Sequence, residues 1–149
     1  MATGDGWDHV VDVLVVGSGN GGMTAALCAH EMGAGEVLLI EKHDKYGGSS
    51  AVSGGGVWVP GNRYARAAGA EDSREDALRY LEATVPAEMV PREMLETYVD
   101  NAPRMIDFLH ERTRVRYLTL PQYPDYYTTL PGARSGHRSM EPEPLMKSA

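Results

Sequence analysis

Gly17-Ser18-Gly19-Asn20-Gly21-Gly22 carries the spacing G-x-G-x-x-G, and Glu41 stands 19 positions beyond Gly22. Glycine at the first position permits a tight turn, at the second lets the backbone approach a pyrophosphate, and at the third lets a helix lie against a strand. The amides of a helix that starts in this turn, around Gly21 and Gly22, then point at the phosphates. A carboxylate at Glu41 can accept both ribose hydroxyls of an adenosine and would repel a 2′-phosphate. The chemistry is dinucleotide binding, with NAD and FAD both open. An ordinary glycine loop with a solvated strand-end acid is what the spacing alone also admits, so the flanking elements decide.

Those elements are legible. Val11 to Val16 is a β-branched and leucine run that predicts a fully buried parallel strand. From Gly22 onward, Ala26, Ala29 and Gly33 make one stripe of a helix able to lie close to a sheet, and Gly33 with Gly35 ends it. Val37 to Ile40 predicts a second buried strand finishing at Glu41, which completes a βαβ unit. Gly47 to Gly56 has the composition of a loop. Ser73 with Asp76 opens a helix whose apolar face is Ala77, Leu78, Leu81 and Val85. Pro91 opens another with Met94, Leu95, Tyr98 and Val99, which Pro103 must break or kink before Met105, Ile106 and Leu109 continue it. The methionines read as core filling. Five prolines (Pro121, Pro124, Pro131, Pro142, Pro144) leave no regular element in the last 29 residues. Two parallel strands need neighbours and cover on both faces, so the α/β sheet looks incomplete, with no terminating element at Met146 to Ala149.

Past Glu41 and Lys42 the chain reads Tyr46-Gly47-Gly48-Ser49-Ser50 and then Ser53-Gly54-Gly55-Gly56. This resembles the fumarate reductase and succinate dehydrogenase superfamily of flavoproteins, in which such a stretch wraps the pyrophosphate and reaches the flavin. Glycine amides and short hydroxyls can donate to phosphate oxygens and flavin carbonyls at close range. The resemblance implies FAD, held by Gly17, Ser18, Gly19, Gly21, Gly22, Glu41, Lys42, Gly48, Ser49, Ser50, Ser53, Gly54 and Gly55. A narrower resemblance is carried by Gly56-Val57-Trp58-Val59-Pro60-Gly61-Asn62, Tyr123-Pro124-Asp125-Tyr126-Tyr127 and Gly136-His137-Arg138-Ser139-Met140-Glu141-Pro142. These look like the 3-ketosteroid Δ1-dehydrogenases, over about Val11 to Leu145. In that family one tyrosine takes a proton from carbon 2 of the substrate, hydride leaves carbon 1 for the flavin, and a tyrosine of a Pro-Asp-Tyr-Tyr segment supports the base. Tyr126 matches the supporting tyrosine. A phenol with an ordinary pKa near 10 is a poor base at neutral pH, so a second hydroxyl bonded to it eases proton removal. Without the resemblance, Tyr126 reads as a packing tyrosine in a proline-rich loop.

Composition narrows the partners. The chain has 149 residues with 14 basic and 21 acidic side chains, a net charge of −7, which argues against nucleic acid and anionic membranes. The apolar stretch Val10 to Val16, interrupted by Asp12, is far short of the ~20 residues of a spanning helix. Met1 to His9 carries Asp5 and Asp8 and has no basic or apolar region of a secretory leader, so a cytoplasmic location is the default. Cys28 is the single cysteine and the five histidines are scattered, so no disulfide framework and no metal site is expected. Ser53 is no hydrolase nucleophile, because G-x-S-x-G is absent.

The reading is the N-terminal part of a Rossmann-like FAD-binding domain, a βαβ unit with further helices and a loop-rich tail, the remaining strands and a substrate domain lying outside residues 1–149. The expected activity of the full-length protein is 1,2-dehydrogenation of a 3-ketosteroid with an external electron acceptor, and residues 1–149 alone are expected to be inactive. One alternative is a fumarate-reductase-type flavoprotein, for which Arg134 and Arg138 could bind a dicarboxylate. Another is a nucleotide-binding fragment without catalytic competence.

Overall fold

The structure, a computed structural model, describes residues 6–144. The expectations placed on residues 1–5 and 145–149 lie outside them. The chain divides into two compact units, Met1–Gly55 and Gly56–Ala149.

In the first unit, strand β1 (Val13–Val16) pairs in parallel with β2 (Val37–Ile40), Val13 opposite Val37 and Val16 opposite Ile40. Helix α1 (Asn20–Glu31) is the crossover. It ends as the glycine signal predicts: the Gly33 amide donates to the His30 carbonyl and the Ala34 amide to the Ala29 carbonyl, the paired bonds of a Schellman motif. Alternation along β1 turns Val13 and Val15 toward α1 and Leu14 and Val16 away. Leu14 is 54% exposed and Val16 76%. The expectation of a fully buried strand is therefore corrected. Among the described residues of this unit, one helix layer covers one face of the two-stranded sheet.

The second unit is built on an antiparallel sheet of order β3-β5-β4, from β3 (Val57–Trp58), β4 (Tyr117–Thr119) and β5 (Ser139–Pro142). Strand β5 overturns the expectation that no regular element follows Pro121. It is short and central, and Pro142 sits at its end, opposite Tyr117. Around the sheet run α2 (Arg63–Ala67), α3 (Arg74–Thr84) and α4 (Arg92–Arg112). The Ser73 hydroxyl caps α3 by accepting from the Asp76 amide at 3.0 Å. Helix α4 runs through Pro103 unbroken. Proline removes the amide that would bond the Val99 carbonyl, but Val99 and Ala102 before it and Ile106 after it are all buried, and that packing outweighs one lost bond. Val59, Ala102, Ile106, Tyr117 and Met140 form one core cluster, with Met105 against it. Ala77, Leu78, Leu95 and Val99 form another. Met94 is 62% exposed, so it fills no core. The Gly47 to Gly56 segment is not all loop: Gly48–Val52 forms a 3₁₀ helix, and Val57 begins β3 directly after it.

Candidate functional site

Three segments of the first unit converge on Ser18, which is 1% exposed. Its hydroxyl donates to Glu41 Oε2 at 2.6 Å and accepts from the Gly47 amide at 2.9 Å, and its own amide donates to the same Glu41 oxygen at 2.9 Å. The β1–α1 turn, the end of β2 and the second glycine segment are thus tied through one serine. A further bond runs from the Asn20 amide to Ser50 Oγ at 3.3 Å. Gly17 holds φ at 96°, a turn that an L side chain rarely adopts. A Cβ on Gly22 would stand 1.9 Å from the Gly17 carbonyl oxygen. Gly19 and Gly21 differ: a Cβ on either meets nothing within 4 Å. The Asn20 amide is taken by Ser50, while the Gly21 and Gly22 amides have no acceptor within the helix. A polyanionic pyrophosphate fits that cradle.

Not every predicted residue enters the network. Lys42, Ser49 and Gly54 are exposed. Ser53 stiffens its own turn, donating to the Ser50 carbonyl at 3.0 Å and accepting from the Gly55 amide at 3.1 Å. Gly48 approaches Gly19, where a Cβ would lie 3.5 Å from the Gly19 Cα.

Glu41 is held by donors on both oxygens, because Oε1 accepts from the His43 amide at 3.0 Å. One acceptor position remains on Oε1, enough for one ribose hydroxyl without displacing a protein donor. The Ser18 hydroxyl, then the Ser18 amide and then the His43 amide hold its carboxyl from the ordinary 4.5 down to about 2. A depressed folded pKa gives stabilisation that is complete above the unfolded value and lost as pH falls through the folded one. The melting-temperature gap between wild type and Glu41→Ala is therefore expected to be full at neutral pH and to close as pH drops from about 4.5 to about 2. A gap that stays constant across this range would show that the Glu41 charge contributes nothing.

In the second unit, Pro124 to Tyr127 lies between β4 and β5. Tyr126 is 86% exposed, with its ring edge-on to Tyr127 at 5.3 Å. It borders an open groove of about 320 Å³ lined by Trp58, Tyr80, Leu81, Pro124, Tyr126 and Tyr127 among others. Beneath it Asp125 is buried. Its Oδ1 accepts from Trp58 Nε1 at 2.6 Å, and its Oδ2 from Arg138 Nη1 at 2.7 Å and the Arg134 amide at 2.8 Å. Arg138, 2% exposed, also grips Asp72 with two bonds of 2.7 and 2.9 Å and donates to the Gly132 carbonyl at 2.9 Å. Arg134 is paired with Asp76 at 2.8 Å. Arg138 is engaged inside the fold and Arg134, with 35% of its side chain exposed, is paired with Asp76, so neither stands as the free cation expected for a dicarboxylate. Sequence reasoning missed Asp72, Asp125 and Tyr80. The available signal was an aspartate set among aromatic and proline residues, since a buried charge must find a partner.

Among the described residues no helix is long and apolar enough to cross a membrane, and no group of His, Cys, Asp or Glu is arranged to hold a metal ion. A family model described as "FAD binding domain" matches residues 12–144. The 3-oxosteroid 1-dehydrogenase of Mycolicibacterium smegmatis is 43% identical over 134 residues, 90% of this chain and 23% of that protein. The crystal structure of 3-ketosteroid delta1-dehydrogenase from Sterolibacterium denitrificans, in complex with 1,4-androstadiene-3,17-dione, superposes with a TM-score of 0.83 at 46% identity, covering 89% of this chain and 23% of that one. A flavocytochrome c3 fumarate reductase in its open conformation shares the fold, with a TM-score of 0.74 at 24% identity over 95% of this chain and 23% of that one. The chain spans about a quarter of the length of the curated relatives it matches.

Proposed function

The chain belongs to the FAD binding domain family, and on that premise we propose that it is the N-terminal portion of a cytoplasmic FAD-dependent oxidoreductase that introduces a double bond between carbons 1 and 2 of a 3-ketosteroid. The observation that carries this reading is the aromatic groove beside Tyr126, in a chain whose likeness to a steroid dehydrogenase runs through 89% of its length. An apolar ketone suits a groove walled by Trp58, Pro124 and Tyr127. The Gly21 and Gly22 amides would hold the pyrophosphate, Glu41 Oε1 would take a ribose hydroxyl, and Ser49, Ser50 and Gly54 would offer hydroxyls and an amide to phosphate and flavin oxygens, with Ser53 and Gly55 shaping the turn that presents them. Bound FAD supplies the two-electron acceptor for the hydride that leaves carbon 1. The Tyr126 hydroxyl hydrogen-bonds the base that takes the proton from carbon 2, and the electron pair of that C–H bond becomes the new double bond. The base, the groups that polarise the ketone and the remaining sheet strands belong to sequence outside these residues, and an external acceptor takes the electrons onward.

A fumarate-reductase-type reading needs free cations for a dicarboxylate, and the engagement of Arg134 and Arg138 with Asp72, Asp76 and Asp125 disfavours it. The purified full-length protein that contains this chain is expected to carry oxidised-flavin absorbance near about 370 and about 450 nm. It should also convert a 3-ketosteroid to its 1,2-dehydro product. A preparation without those bands that fails to regain them on addition of FAD would sink the flavin assignment. Flavin bands without turnover would favour a binding module.

A further inference from the structure

The charge cluster beneath the Tyr126 segment has no part in the steps above. Two carboxylates and a guanidinium are taken out of water together, with Asp72 and Arg138 both nearly inaccessible. Buried ion sets are often no more stabilising than apolar residues of the same volume, so stability alone gives little reason for this one. Directional bonds give a better one. Asp125 directly precedes Tyr126, and all the bonds of its carboxylate run to fixed partners: the Trp58 indole, Arg138 and the Arg134 amide. Its amide donates to the Arg134 carbonyl at 2.9 Å. On the other side of Tyr126, the Tyr127 amide donates to the Tyr80 hydroxyl at 3.0 Å.

The cluster is itself braced. His137 holds φ at 71°, a left-handed conformation rare for a residue with a side chain. Its carbonyl accepts from Asn62 Nδ2 and from Thr119 Oγ1, each at 2.9 Å, and its amide donates to the Leu120 carbonyl at 2.9 Å. This constrained residue leads straight into Arg138. The Tyr126 ring, by contrast, is mostly exposed and meets Tyr127 alone among the described aromatic residues. The region that its hydroxyl can reach by rotation about χ1 is therefore set by where the backbone holds its Cα, and the backbone is clamped at 125 and 127.

We propose that Asp125, Arg138 and Tyr80 are positioning residues that fix the Tyr126 hydroxyl by clamping the backbone on both sides of it. The proposal rests on the role given to Tyr126 above. Tyr80→Phe is the cleanest probe, because it keeps the buried ring and removes one hydroxyl; Asp125→Asn and Arg138→Lys are the companions. With 3-fluorotyrosine placed at position 126 of the intact protein, the ¹⁹F resonance is expected to be single in the wild type and shifted or split in Tyr80→Phe. On 3-ketosteroid, Tyr80→Phe should lower kcat about 3- to 10-fold with KM within twofold and flavin content unchanged. In the Tyr126→Phe background the same change should cost nothing further, since it acts through the hydroxyl already removed. Equal losses in both backgrounds would mark Tyr80 as merely structural and overturn the proposal. An unchanged ¹⁹F resonance in Tyr80→Phe and in both companions would overturn it as well. A full-length wild-type protein that ignores 3-ketosteroids would bring down the functional reading, and the ¹⁹F comparison then decides the clamp by itself.

Discussion

In the full-length protein, Tyr126→Phe is expected to lower steroid dehydrogenation by about 10- to 1000-fold while flavin content and melting temperature stay where they are in the wild type. The separation of these readouts follows from where the residue sits. Tyr126 is 86% exposed, and its hydroxyl has no hydrogen-bond partner among the described residues. Phenylalanine keeps the ring and its edge-on contact with Tyr127, so the fold loses nothing that the rest of the chain depends on. Surface changes of this kind usually move stability by no more than about 0.5 kcal/mol. A phenolic base near pH 7 is different: losing a hydroxyl that stabilises its charged form raises the barrier at the chemical step. Steady-state turnover of a 3-ketosteroid, measured beside flavin absorbance, decides the matter. Turnover at the wild-type rate would leave Tyr126 a surface tyrosine. A wild-type protein that reduces fumarate-like acids and leaves steroids untouched would promote the rival activity.

The first unit was legible because its signals are local. The glycine spacing, the β-branched runs and the acid at position 41 all lie within about thirty residues, and the structure joins them as parallel strands, a crossover helix and a carboxylate on the glycine turn. What sequence could not supply there is how the polar groups pair among themselves. Ser18 stood among the residues expected to hold FAD; its hydroxyl bonds Glu41 and Gly47, so it also ties the segments together. The second unit was opaque because its organisation is non-local. Val57 pairs with Met140 and Tyr117 with Pro142, and strands of two to four residues show no alternation to read. The same distance hid the ion cluster: Asp72 and Arg138 are 66 positions apart. At Pro103 the helix does not break, for a related reason. A proline's local penalty is visible in sequence, whereas the burial of Val99, Ala102 and Ile106 that offsets it is tertiary.

Gly22→Ala is expected to weaken FAD retention about 10- to 100-fold and to lower the melting temperature. Helix propensity by itself predicts the opposite sign, since alanine is favoured over glycine by about 1 kcal/mol in a helix interior. Contact decides against it. The new Cβ would lie 1.9 Å from the Gly17 carbonyl oxygen and 3.0 Å from its carbon, with Val15 Cγ1 at 3.5 Å on the far side. The nearest obstacle is backbone, which cannot rotate aside as a side chain can. Relief requires α1 to back away from the β1 turn, and overpacking of this kind costs about 1–3 kcal/mol. The displacement carries the first-turn amides away from the pyrophosphate, so binding and stability fall together. Gly21→Ala is the control: a Cβ there meets nothing within 4 Å, and the melting temperature should hold or rise. FAD titration by fluorescence quenching, with thermal melting of both variants, separates the outcomes. A Gly22→Ala protein that binds FAD as tightly as wild type and melts higher would mean that the helix does not rest on the glycine turn.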